Sequence, residues 1–259
     1  MHGEIASAVS IDLGIRGPCH TLSNGCASGL DALGLAFLAL RSGWTRRALV
    51  LSVDLPLALP LLSAFRSTGV LSTNGINDPY SPETTGFFPG EAGAAFLLET
   101  DRPGSRAELL GYWANSDAAE PIGAPPDGAA VAALLRAARA ELPGPIRALL
   151  PHASGTRASG RSEAAALHAA FPEPTPPTLH LLKPFTGHTL GASGALDTAL
   201  LVASLAENRL PPNLPGLTPP APRFRLPSEP EPVTPGDVVL KLSSGMGGRN
   251  ALLALTRRP

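Results

Sequence analysis

The segment SNGCASG sets Cys26 where a short extended stretch passes through an Asn24-Gly25 turn into the first turn of a helix. Free backbone N–H groups and the positive end of a helix dipole stabilise a thiolate there and can receive an oxyanion, so the position suits a cysteine nucleophile. Cys19 has neither the turn nor the helix start and is read as a small buried hydrophobe. On this reading Cys26, with its pKa lowered by the helix, is the thiol that limited alkylation labels first. His152 ends an apolar strand in HASGT, and His188 stands between a strand and a helix in KPFTGHTLGASG. Open α/β sheets place ligands at the carboxyl ends of strands, where all three residues fall. A zinc site built from the three is the rival reading, but structural zinc takes ligands in close spacings, so no metal is assigned.

Two further features bear on the same chemistry. GMGG, Gly245 to Gly248, is a glycine-rich hairpin tip that lets backbone approach a substrate, with the Met246 N–H as a candidate oxyanion donor. Lys183 and Glu163 each lie beside a strand–helix junction and are read as a buried pair beneath the site. Lys183 and Lys241 are the only lysines in the chain, which makes each one informative.

The elements that must position these residues alternate between short apolar runs and Ala/Leu-rich helical runs, which predicts an α/β protein with mostly parallel strands. Helices are expected over Glu4–Leu13, from the Cys26 turn to Gly43 with Leu30, Leu33, Phe37 and Leu40 on one face, and over Ala129–Glu141, Glu163–Ala170 and Leu190–Glu207. Strands are expected over Cys19–Ser23, Ala48–Val53, Ala94–Glu99, Glu108–Ala114, Arg147–Leu150 and Thr178–Leu182, with Asp237–Ser243 and Asn250–Thr256 as a hairpin. From Glu108 onward the order is βαβαβαββ; the first part reads as the tail of a similar unit. Pro211–Gly236 is read as a proline-rich surface connection.

Composition excludes several classes. A chain of 259 residues that is 44% hydrophobic is long enough to bury a core without disulfides or a structural metal. Twenty Lys+Arg against 21 Asp+Glu leave no basic field for nucleic acid or an anionic membrane. The start, MHGEIASAVSIDLG, lacks a cationic region followed by an apolar stretch, and no later apolar run reaches a membrane span, so the chain is read as cytoplasmic.

Five motifs in order carry a family resemblance: GPCHTLSNGCASGLDAL, GFFPGEAGAAFLLE, HASGT, KPFTGHTLGASGAL and SSGMGGRNALL. Together they make the chain similar to the β-ketoacyl synthases of the thiolase superfamily, the condensing enzymes of fatty-acid and polyketide assembly. The resemblance implies a thiolase-like layered αβαβα fold, with residues 1–105 as the remainder of a nucleophile half and 106–259 as a complete two-histidine half. It makes Cys26 the acyl-accepting nucleophile and His152 and His188 the pair serving decarboxylation. Lys183 and Glu163 become the supporting ion pair, the N–H groups of Cys26 and Met246 the oxyanion hole, and Thr156, Gly245, Gly247 and Gly248 the substrate-binding residues. No metal or redox cofactor is implied, since substrates arrive on the phosphopantetheine of acyl carrier protein.

Four positions depart from the family pattern. Met246 stands where a gating Phe is usual, Arg249 where Thr is usual, Gly160 where an acidic residue is usual, and Tyr80-Ser81 where Phe-Asp is usual. Two other readings stay open: a non-catalytic partner resembling chain-length-factor subunits, and an acyltransferase that keeps the cysteine without decarboxylating. Relative to the family, two leading β–α units are absent, about 60–100 residues at the usual size of a βαβ unit. The chain is therefore expected to be a fragment, to be read from an internal start at Met1, or to be completed by a second polypeptide. Homodimer or heterodimer formation and exposed apolar faces near Cys26 are expected with it.

Overall fold

The computed structural model describes residues 3–100 and 103–258; Met1 lies outside them. Helix α1 (Glu4–Asp12) is followed by a 3-10 turn, Gly25–Ala27, that runs straight into α2 (Ser28–Arg41). Then come β1 (Arg47–Asp54), α3 (Leu59–Ser67), β2 (Ala92–Glu99), β3 (Ala107–Ser116), α4 (Ala129–Glu141), β4 (Ile146–Leu150), α5 (Arg157–Ala170) and β5 (Thr178–Leu179). The single turn α6 (Lys183–Thr186) precedes a second 3-10 turn, Leu190–Ala192, which runs into α7 (Ser193–Ala206). A short pair, β6 (Arg209–Leu210) and β7 (Glu231–Pro232), leads to the hairpin β8 (Val238–Gly245) and β9 (Arg249–Arg257).

The βαβαβαββ order is present, with β6 and β7 as an insertion, but the strands are not mostly parallel. The larger sheet runs β3-β9-β8-β4-β5, and only β4 makes parallel pairs, with β5 and β8. β3 and β8 both pair antiparallel to β9, and β1 pairs antiparallel to β2 from Arg47↔Glu99 to Asp54↔Ala92. Continuous apolar runs report burial on both faces and carry no information on direction, whereas a tight hairpin imposes antiparallel pairing.

Other boundaries shift for local reasons. Residues 18–24 form no strand and Cys19 is exposed, since no neighbouring strand offers that stretch a ladder of hydrogen bonds. Helix α3, not expected from the sequence, buries no residue. α5 begins at Arg157, six residues before Glu163, because the Thr156 side chain accepts the Ser159 N–H as its N-cap. β5 stops at Leu179, and beyond it the Asn213 side chain substitutes for a strand, accepting from the Leu181 N–H at 2.7 Å and donating to Leu179 O at 2.9 Å. The proline-rich connection is therefore more than surface wrapping: Asn213, Phe224 and Val233 within it are buried.

Two cores lie on opposite faces of the five-stranded sheet. On one, α4 and α5 bury Leu134, Leu135 and Leu167 against Leu149, Leu240 and Leu252. On the other, α2 and α7 bury Leu30, Leu33, Leu201 and Leu205 against Val239 and Leu253 and also reach Val50 of β1. The layers run α4/α5, five-stranded sheet, α2/α7, β1–β2 ribbon, which supplies four of the five layers of the thiolase-like αβαβα fold expected from the sequence. The two central helices cross where each has a glycine. A Cβ on Gly29 would lie 2.9 Å from Ala195 Cβ, and one on Gly194 3.1 Å from Leu30 Cβ. This crossing sets the two 3-10 turns side by side. Among the described residues no helix is long and apolar enough to cross a membrane.

Candidate functional site

Cys26 sits in the 3-10 turn ahead of α2 and is 8% exposed. The turn is held by its own polar residues: Ser28 Oγ accepts the Asn24 N–H at 2.8 Å and donates to Gly25 O at 2.6 Å. Asp31, buried in the first turn of α2, accepts from Asn24 Nδ2 and from the Tyr112 hydroxyl of β3, both at 2.8 Å. The β8–β9 hairpin closes over the turn, and a Cβ on Gly245 would lie 3.1 Å from Cys26 N, so any larger residue would crowd this approach. The backbone N–H groups of Cys26 and Met246 lie near the sulfur and favour its thiolate. Gly247 and Gly248 adopt positive φ of 84° and 71° and make the tight tip of the hairpin.

His152 follows β4, and His188 follows α6; both are buried. Their rings meet edge to face with centroids 5.2 Å apart, and Phe87 meets His188 in the same manner at 5.1 Å. Phe87 also packs with Cys26 and Leu190, so a contiguous path of contacts joins thiol, Phe87, His188 and His152. The His188 backbone is pinned on both sides, its N–H donating to Phe88 O at 2.6 Å and its carbonyl accepting the Gly90 N–H at 3.0 Å. Ala153 and Leu190, just beyond the two histidines, adopt left-handed φ of 45° and 44°, conformations that cost about 1–3 kcal/mol each and persist only where surroundings impose them.

Glu163 is what imposes the first. Its carboxylate accepts the His152 N–H at 2.6 Å, the Ala153 N–H at 2.8 Å and the Tyr80 hydroxyl at 2.8 Å. The expected Lys183–Glu163 ion pair is therefore replaced. Lys183 Nζ lies 3.2 Å from Asp197 Oδ2, and Lys241 Nζ reaches the same oxygen at 2.6 Å. Glu163 points at the backbone of the β4–α5 connection, and α7 supplies the carboxylate for the lysines instead. Tyr80, a departure from the family pattern, thus has a definite place as the third donor to Glu163. The other departure beside it, Gly160, lies against the same segment, with a built Cβ 3.0 Å from Pro79 O.

The electrostatics differ from the sequence expectation at the thiol. Burial pushes Cys26 from 9.0 up to about 11; Lys183 and the two amides oppose the rise, and Asp54 adds to it. The helix start does not lower this pKa, because desolvation outweighs it. Burial likewise holds both histidines well below their ordinary value, with Lys183 the next contributor in each case. The resting site therefore holds a thiol and two neutral imidazoles, whose Nδ1 atoms have no hydrogen-bond partner. Asp197 is drawn below its ordinary range, since burial, which raises it, is outweighed by the two lysines together.

Thr156 lies away from the thiol, as the cap of α5, and lines an open pocket of about 440 Å³ with Val70, Thr85 and Arg157. Val70 borders both this pocket and the apolar cluster around Cys26. Sequence reasoning missed Asp197, Lys241, Phe87 and Asp54, whose carboxylate accepts the Gly191 N–H at 2.8 Å. One signal was available for Lys241, a lone charge inside the apolar run VVLKL. Among the described residues no group of three or more His, Cys, Asp or Glu is placed to hold a metal ion.

Comparison with known proteins adds the lineage. Residues 1–103 match the β-ketoacyl synthase N-terminal domain, and residues 106–216 match the C-terminal domain. A tetracenomycin polyketide synthase ketoacyl synthase alpha subunit from Streptomyces glaucescens is 30% identical over 98% of the chain, which spans 63% of that relative's length. Among solved structures, a type II polyketide acyl-carrier protein in complex with its ketosynthase bound to a hexaketide aligns with a TM-score of 0.89 at 26% identity. It covers 98% of this chain and 66% of its own. The ishigamide ketosynthase/chain length factor aligns with a TM-score of 0.87 at 25% identity, covering 100% of this chain and 66% of its own.

Proposed function

The chain belongs to the β-ketoacyl synthase family, and from that premise we propose that it catalyses decarboxylative Claisen condensation between acyl and malonyl thioesters carried by acyl carrier protein. The observation that supports this reading best is the path of contacts that joins the buried thiol through Phe87 to a pair of neutral histidines, with the Cys26 and Met246 amides near the sulfur. In this reading residues 1–105 supply the nucleophile and residues 106–259 supply the histidines and the hairpin amide. Cys26 sulfur bonds to the acyl carbonyl carbon, the carrier's thiolate leaves, and the thiol proton goes with it. The malonyl thioester then loses its carboxylate as carbon dioxide, and the electron pair of the broken C–C bond becomes an enolate. His152 and His188, being neutral, offer hydrogen bonds to the enolate oxygen without titrating it. The enolate carbon attacks the acyl-Cys26 carbonyl, the oxyanion rests against the Cys26 and Met246 amides, and the Cys26 thiolate departs and takes up a proton.

Gly245 keeps the hairpin close enough for that amide to act, Gly247 and Gly248 shape the tip beneath the incoming acyl group, and the Thr156 pocket receives the carrier's phosphopantetheine arm. No metal or redox group is required. The partners in this reading are acyl carrier protein and, through the open ribbon, a second copy of the chain or a second synthase-like subunit in the cytoplasm.

Intact-protein mass spectrometry after incubation with acyl and malonyl carrier proteins, alongside carbon dioxide release, tests it. The parent chain is expected to carry an acyl group on Cys26 and to release carbon dioxide. His152→Ala and His188→Ala should keep the adduct and lose about 10²-fold or more of the release. An adduct with unchanged release in both variants would favour the acyltransferase reading, and no adduct at all would favour the non-catalytic partner.

A further inference from the structure

Two lysines share one carboxylate beneath the histidines, and one of the two is surplus to packing. Lys241 lies in the middle of β8 between Leu240 and Leu242 and is fully buried. Its ammonium donates to Asp197 Oδ2 at 2.6 Å and to the Pro151 carbonyl at 3.1 Å. Lys183 already pairs with the same Asp197 oxygen, and the buried Glu163 carboxylate also faces Lys241, so two buried cations are set against two buried carboxylates. Burying such a cluster costs desolvation, and an apolar residue would suit a strand covered on both faces better.

The contacts of that ammonium say what it does there. Pro151 immediately precedes His152, and Asp197 lies on α7, the helix reached directly from His188 through the second 3-10 turn. The strand carrying Lys241 continues into the hairpin that brings the Met246 amide to the thiol. One side chain thus joins the three segments that carry the site's groups other than Cys26. Beside the trio lie buried polar atoms with no partner: Asp197 Oδ1, Ser193 Oγ, Ser243 Oγ and the Nδ1 atoms of both histidines. This end of the site is polar and incompletely satisfied.

We propose that Lys241 is a positioning residue for the donor half-reaction: it fixes the backbone ahead of His152 against α7, the helix reached from His188, and so holds the two histidines in place for the donor thioester. The inference deepens the condensation reading and rests on it for the identity of the donor. The charged groups around the pair are Lys183, Lys241, Asp197 and Glu163, the last accepting the His152 N–H and facing Lys241. Lys241 contributes to holding both imidazoles neutral, although burial and Lys183 contribute more. Burial also draws Lys241 itself from 10.5 down to about 8, the direction expected of a charge the fold accommodates at a cost.

The test compares the parent chain with Lys241→Met and Lys241→Arg. The measurements are thermal melting, acyl transfer to Cys26, steady-state carbon dioxide release from malonyl carrier protein, and histidine titration by NMR. Lys241→Met keeps the Lys183–Asp197 pair but frees Pro151 from α7, so it should still melt cooperatively and accept the acyl group at the parental rate. Its KM for the malonyl donor should rise about tenfold or more, and the His152 and His188 titrations should move up toward the ordinary value. Lys241→Arg, which keeps the charge, should recover part of the KM. A Lys241→Met chain that fails to fold, or that loses both half-reactions equally, would show a structural prop and overturn the proposal, as would an unchanged KM. If the parent releases no carbon dioxide, the condensation reading fails separately. The titrations then decide for Lys241, and histidines that do not move would overturn it.

Discussion

The five-stranded sheet and the β1–β2 ribbon are built from similar apolar runs and end in different conditions. β8 and β9 are buried along almost their whole length between two helical layers, and β3, β4 and β5 flank them. β1 and β2 form a ribbon with no further strand partner among the described residues, and Leu49, Val53 and Leu97 remain exposed on it. Both halves nevertheless make the same local device, a 3-10 turn running through Ala-Ser-Gly into a helix, at Ala27–Gly29 and again at Ala192–Gly194. Local sequence therefore sets the shape of the turn, while the number of layers around it sets how firmly it is held. The thiol belongs to the thinly supported half. The histidines, the lysine cluster and the hairpin amide belong to the well-supported one.

The sharpest break of this contrast uses one leucine from each sheet. Leu240→Ala in β8, from full burial, is expected to cost about 2–5 kcal/mol, whereas Leu97→Ala in β2, 56% exposed, should stay within about 0.5 kcal/mol. Urea denaturation of the two variants measures both, and equal losses would mean the ribbon is as firmly held as the sheet.

A smaller effect separates the halves by pH. The histidines fold in a state that resists protonation, so the stability they contribute is complete above about pH 6.5. It declines as pH falls below that value, by up to about 1.4 kcal/mol per unit for each. Cys26 has the opposite sign. Its raised pKa makes the buried thiol's contribution complete below about pH 9.0 and loses it as pH climbs toward 11. Replacing Cys26 by Ser should remove a loss on the alkaline limb and leave the acid limb unchanged. A Cys26→Ser effect confined to acid pH would contradict the assignment.

The smallest effect is one of order. In the free chain at neutral pH, iodoacetamide should label exposed Cys19 before buried Cys26, by about tenfold or more in rate, the reverse of what the sequence alone suggests. Peptide mapping over time reads it, and preferential labelling of Cys26 would mean the site opens far more often than its burial implies.

Much of the second half was legible in the sequence because its elements bury one continuous set of apolar positions. α4 begins and ends where periodicity predicts, and the β8–β9 hairpin differs by at most two residues at any end. Cys26, both histidines and the hairpin amide, the groups proposed for the site, were also legible, since each stands at a break between elements marked by glycine. Partnerships were less legible. Lys183 was assigned to Glu163 because both lie near junctions, yet helix periodicity cannot say that Asp197, fourteen positions along, swings beneath the lysine. The thiol's pKa was assigned from its helix start alone, and the desolvation that reverses the direction depends on Phe87 and Leu190, which arrive from distant segments. The stretch before Cys26 was read as a strand from composition, but a strand needs a neighbour, and none of the described residues supplies one.

The closing of the β8–β9 hairpin over Cys26 also has a consequence for how the chain comes to be functional. The amide that faces the sulfur from Met246 lies 220 positions away in sequence. Contacts between such distant residues form late, after the loop entropy between them has been overcome. During synthesis and refolding alike, the thiol therefore passes through a period in which its turn and helix exist but half of its hydrogen-bonding surroundings do not. On the proposed function, thioester chemistry at Cys26 therefore waits for the end of folding, when the hairpin docks.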